Sequence, residues 1–140
     1  MAIQLSLAVR NARLDQIETS IGNLSTAILR IYAAANPTDI GAADPAPVLV
    51  TITLPPDWMN SAAGGIKTLA NGPWQGTAGA SGTAQAFRIK KNTSVTGAEI
   101  QGTVGMTGAD MILDNTNIQS GQTINVTVFT LTDGNPGLPG

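Results

Sequence analysis

The sequence contains no cysteine and no histidine. The first absence excludes disulfides and thiolate metal sites. The second removes the commonest general base and the commonest metal ligand. Charge is scarce as well: 11% of residues are Asp, Glu, Lys or Arg, against about 25% in an average domain. The net charge is −2, and of seven basic residues only Lys90 and Lys91 are adjacent. That leaves no basic field for nucleic acid. Aromatic residues are few, namely Tyr32, Trp58, Trp74, Phe87 and Phe129. The most apolar windows, such as "PVLVTITL", fall far short of the ~20 residues of a membrane-spanning helix. The opening "MAIQLSLAVRNARLDQIE" has no basic segment followed by an apolar run, so it does not read as a secretory signal. The expectation is a soluble chain with neither nucleic acid nor membrane as partner.

What is present suffices to fold. Hydrophobic residues make up 42% of 140 positions, enough for the core of one domain. The remaining surface must be Thr, Ser, Asn, Gln and Gly. Neutral polar groups lose little on desolvation against a partner, which favours assembly.

In "LSLAVRNARLDQIETSIG", Leu7, Leu14, Ile17 and Ile21 fall on one side at helical spacing, interrupted near the edge by Arg10. Gly22 suits a C-terminal cap. After Gly22 the period becomes two. Strands are expected at 26–33, 47–54, 83–90, 98–106, 110–114 and 122–132. In 47–54 the inward set is Val48, Val50, Ile52 and Leu54, with Leu49 opposite. In 83–90, Phe87 and Ile89 oppose Arg88 and Lys90. In 98–106, Ile100, Val104 and Met106 point inward, and in 122–132 so do Ile124, Val126 and Val128. Parity breaks at Val128-Phe129, where a bulge or a sheet end is expected. Segments 35–47, 54–65 and 133–140, rich in Pro and Gly, punctuate the strands. The fold class expected is mainly β, a single antiparallel β-sandwich or jelly roll with one N-terminal α-helix. Three parts are expected: a helix or arm over 1–22, a sandwich body over 23–133 and a Pro/Gly-rich tail over 134–140.

The stretch "GPWQGTAGASGTAQAFRI", 72–89, is small or polar between Trp74 and Phe87. It lacks the Lys-Ser or Lys-Thr of a phosphate loop. Small residues let backbone approach backbone, so it reads as a structural turn, with a subunit contact as the other reading.

Candidate chemistry is thin. Two of the nine carboxylates would suit glycoside hydrolysis, with Asp57 beside Trp58 the best local candidate. The competing reading is an Asp at the turn after Pro55-Pro56. Asp110, Asp114 and Asn115 offer oxygen ligands for calcium, but their spacing does not match a calcium loop, and turn or edge capping is preferred. Asn23, Asn92 and Asn125 begin glycosylation patterns that read as coincidence. No catalytic residue, metal ligand or cofactor is assigned.

The runs "AVRNARLDQIETSIG", "LRIY", "LPPDWMNSAAGG", "GTAQAFRI" and "GTVGMTGADMILDNTNIQSGQTINVTVFTLT" resemble a group of small virion proteins of tailed bacteriophages, over about residues 7–132. The resemblance implies a structural component of the particle and transfers no catalytic residue. The leading expectation within that class is a decoration or cement protein on the capsid of a virion assembled in the host cytoplasm. Its partners would be the major capsid protein or other virion subunits, with a homo-oligomer expected. A tail or collar component and a carbohydrate-binding adhesion module are the alternatives. Candidate subunit-contact residues are Leu7, Leu14, Ile17, Ile21 and Trp74.

Overall fold

The computed structural model describes residues 3–22, 26–91 and 97–133. It is mainly β with one helix near the N-terminus, and its sheet curls into a half-barrel. The helix, α1, spans Leu7–Ile21. The Ser6 hydroxyl accepts from the Val9 N–H at the amino end. At the other end Gly22 adopts φ 119° and its N–H donates to Glu18 O at 2.8 Å. A side chain at Gly22 would also strike Thr26, so only glycine fits.

Ten strands follow among the described residues: β1 (Ala27–Tyr32), β2 (Val48–Thr53), β3 (Ile66–Thr68), β4 (Trp74–Thr77), β5 (Gly82–Thr83), β6 (Ala86–Lys91), β7 (Ile100–Gly105), β8 (Met111–Leu113), β9 (Asn117–Ile118) and β10 (Thr123–Thr132). The main sheet runs β2-β1-β6-β7-β8-β10-β3, with β4 also on β10; β5 and β9 form a separate pair. One edge of β10 takes β8. The other takes β4 along Thr123–Val126 and β3 along Thr130–Thr132. The pairing is antiparallel except between β7 and β8, where Val104 meets Met111 and Gly105 meets Ile112 in parallel.

The curl brings the two ends of the sheet together. A Cβ at Gly76 of β4 would lie 2.5 Å from Ile52 Cγ1 and 3.0 Å from Val50 Cγ2 of β2. The Gly79 N–H donates to Leu49 O at 2.8 Å. The small-residue stretch after Trp74 is therefore a place where chain segments close on each other, as a structural turn requires.

The core fills the inside of the curl. Leu29 and Ile31 of β1, Phe87 and Ile89 of β6, and Ile124 and Val126 of β10 point into it as their alternation demands. An aromatic chain runs through the centre, with ring centroids 5.9 Å apart for Trp58–Trp74, 5.8 Å for Trp74–Phe129 and 5.5 Å for Phe87–Phe129.

Several parities differ from the sequence expectation. In β2, Ile31 pairs with Val50 but Tyr32 with Val48, so Leu49 is the extra residue of a bulge. Leu49 is buried and Val48 is exposed, the reverse of the expected facing. In β10 the register shifts between Val126 and Val128, which is the bulge the parity break foretold. Val128 consequently faces out and Phe129 faces in. Met106 lies beyond the end of β7 and is exposed. Arg88 and Lys90 lie opposite Phe87 and Ile89 as the alternation requires, yet they too are fully buried. The 134–140 tail lies outside the described residues.

Candidate functional site

The helix docks on its own sheet through its carboxyl-terminal half. Leu14 and Ile21 enter the interior and Ile17 is half-buried against it. Polar ties fix the rest of the helix. Asn11 Oδ1 accepts from the Gly65 N–H at 2.9 Å, and Arg10 donates to Asp133 O at 3.2 Å. Arg13 pairs with the Asp133 carboxylate at 3.2 Å. Leu7 stands clear, 46% exposed, between Ile3 at 79% and Val9 at 45%. The expected stripe therefore divides, with its lower part used within the chain and its upper end bare. Trp74, the other expected contact residue, lies within the chain's own core. It is 1% exposed, packed between Trp58 and Phe129, with its indole N–H donating to Ala70 O at 3.0 Å.

Beneath α1 lies an open polar cleft of about 520 Å³, lined by Asp15, Glu18, Asp57, Asn60, Lys67 and Asn71 among others. Lys67 of β3 is buried at its floor. Its ammonium donates to Asp15 Oδ1 at 2.8 Å and Asn60 O at 2.9 Å, and sits 3.4 Å from Glu18 Oε2. The hydrogen bond from Lys67, then that from the Ala62 N–H, holds the Asp15 carboxyl below its ordinary value despite some burial. A glycosidase acid needs the opposite shift. Asp57 lines the cleft with its backbone at φ 49°, while the Asn71 amide donates to the Pro56 and Asp57 carbonyls. Its neighbour Trp58 turns away into the core and donates to Gly22 O at 2.8 Å. The Asp57–Trp58 pairing seen in the sequence is thus split between surface and interior.

The calcium candidates are occupied as caps. Asp110 Oδ2 accepts from the Thr103 N–H and hydroxyl, and Asp114 accepts from the Asn125 backbone and side-chain amides. Asn115 Oδ1 accepts from the Asn117 N–H. Asn125 is also held by Gln75 at 2.7 Å. Asn23 and Asn92 lie outside the described residues. Among the described residues no cluster of three or more acidic groups is arranged to hold a metal ion.

Sequence reasoning missed a second ionic cluster, on the outer face of β1 and β6. Asp44 accepts from Arg30 at 3.0 Å, Arg88 at 2.8 Å and Lys90 at 2.9 Å. Burial alone would raise the Asp44 carboxyl. The bonds from Lys90 and Arg88 outweigh it and hold the group below its ordinary value. Burial, and then the Asp44 charge, pushes the Tyr32 phenol far above its usual value. The signal available was that Arg30 and Arg88 share one parity across adjacent strands. Their partner lies elsewhere, in a loop read only as punctuation.

No family model, curated protein or solved structure matches this chain. Function must therefore be argued from the surfaces above. All five aromatic side chains are buried, so none offers a ring for stacking on a sugar.

Proposed function

We propose that this chain is a structural subunit of a tailed-phage particle, most simply a decoration protein that bridges neighbouring capsid subunits. The observation that carries the reading is the bare apolar end of the N-terminal arm. Ile3, Leu7 and Val9 project where the chain's own core does not use them. The sparse charge of the chain and the resemblance noted above point the same way. The mechanism is mass action: a protein that binds only the assembled lattice stabilises it. Many equivalent copies let each contact be weak. The chain acts by fitting against neighbours and transforms no substrate.

A tail or collar position is the second reading within this class. An adhesion module is less favoured, because it would have to hold sugar without an exposed ring. The test is co-sedimentation of the purified chain with particles, followed by a density map. Leu7→Ser is expected to abolish binding while leaving the chain's own melting temperature unchanged. Density spread over the head supports decoration, whereas a single ring at the neck moves the assignment to the collar. A wild-type chain that never sediments with particles overturns the reading.

A further inference from the structure

Residues 34–46 cross the outer face of β1 and β6 as a strap. No side chain of this segment belongs to the hydrophobic core. It is held by polar contacts instead. Arg88 donates to the Ala42 and Ile40 carbonyls, Gln101 to Pro37 O, and Asn36 to Phe87 O and Gly102 O. The Ala98 N–H donates to Ile40 O at 2.9 Å. The only side-chain charge the strap brings to the face is Asp44. Its other carboxylate, Asp39, is turned to its own Gly41 N–H at 2.8 Å.

The face beneath is short of negative charge rather than of neutral acceptors, since Arg88 Nε also donates to Gln101 Oε1 at 3.2 Å. Arg30, Arg88 and Lys90 bring three positive charges to one carboxylate. Arg88 is 0% exposed. A further buried donor, Arg30 Nε, has no hydrogen-bond partner, and the buried Tyr32 hydroxyl must share Asp44 with the three cations. Buried polar groups left in this state are uncommon and call for a reason. A surface built to meet several carboxylates, and occupied by one, supplies that reason.

We propose that the strap is a releasable cover, pinned by Asp44, over a cationic face that binds an acidic peptide segment of a partner. The strap occupies the place of that segment. An incoming run of Asp or Glu would replace the single pin with several charge-assisted bonds, including the one that Arg30 Nε lacks. The proposal does not depend on whether the chain belongs to a particle.

The test uses the full chain. Asp44→Asn is expected to keep the fold, with hydrogen-exchange protection in β1 and β6 remaining well above that of the strap. Exchange at Ala42 and Ala98 should accelerate by about tenfold to a hundredfold, the loss expected from one or two bonds to a charged group. A glutamate-rich peptide should then shift the Arg30 and Arg88 Nε–H resonances at lower concentration than in the wild type, with the effect suppressed by salt. A folded variant with unchanged strap exchange overturns the pin. Faster exchange with no peptide-dependent shift overturns the cationic face as a peptide site. Should Asp44→Asn fail to fold, Asp44→Glu keeps the charge but lengthens the pin. It should give intermediate exchange and measurable peptide binding, and behaviour identical to the wild type would overturn the proposal.

Discussion

The two faces of β1 and β6 are both buried, and by opposite means. Inside the curl, Leu29, Ile31, Phe87 and Ile89 pack against other apolar groups. Outside it, Arg30, Arg88 and Lys90 share the strap's single carboxylate, and Arg88 also donates to two of its carbonyls. The inner face stabilises roughly in proportion to the apolar area removed from water, about 25 cal/mol per Å². The outer face must first offset the desolvation of its ions, and an ion pair of this kind is weak grounds for stability. Burial therefore has two meanings here: cohesion on one side of the sheet, and a fixed but separable arrangement on the other.

The largest test of this contrast is Trp74→Ala on the inner side. It removes a ring packed against two others and should cost about 3–5 kcal/mol in denaturant titration, with the whole chain affected. Asp44→Asn on the outer side should cost about 2–3 kcal/mol. That lies below the usual range for a broken buried pair, because release of the strap lets water reach the cations. A loss as large as that of Trp74→Ala would erase the distinction. The same carboxylate sets an acid signature. Its pKa is depressed in the folded chain, so its stabilisation is present above the ordinary value of 3.8 and is lost as pH falls through the folded value. Denaturant midpoints should therefore hold steady at neutral pH and drop in acid, with a shallower drop in Asp44→Asn.

How much of this was legible beforehand follows the same division. Inner-facing residues of β1, β6 and the first half of β10 declared themselves by alternation, and the break at Val128-Phe129 announced its bulge. The β2 bulge left no such mark, because Val48, Leu49 and Val50 are all apolar and either facing satisfies the pattern. Outer burial was invisible because the partner of Arg88 is 44 positions away, and an Asp followed by Pro-Ala-Pro looks like any loop. Trp74 illustrates the limit at the candidate site: residue type does not separate a core anchor from an interface anchor. The helix stripe was readable as a stripe, but only the docked geometry divides Leu14 and Ile21 from Leu7.

Smaller effects sharpen the picture. Gly76→Ala sets a methyl against Ile52 and Val50 and should cost about 1–3 kcal/mol, read as a lower thermal midpoint. Tyr32→Phe removes a buried hydroxyl that shares Asp44 with three cations, so its effect should be within about 1 kcal/mol and of either sign. Tyr32 is the sole tyrosine, which makes phenolate absorbance specific to it. Its raised pKa means that stability is intact below the usual phenol value and is lost as pH climbs toward the folded one. Absorbance should appear only together with alkaline unfolding.

The two-sided pairing of β10 bears on how the molecule is made. Its partners β3, β4 and β8 all precede it in chain order, so a ribosome delivers three strands before the one that joins them. Loop closure over such separations slows folding, and the waiting strands present unpaired edges in the meantime. Substitutions in β10 that leave the finished sheet intact should still raise losses to aggregation during synthesis.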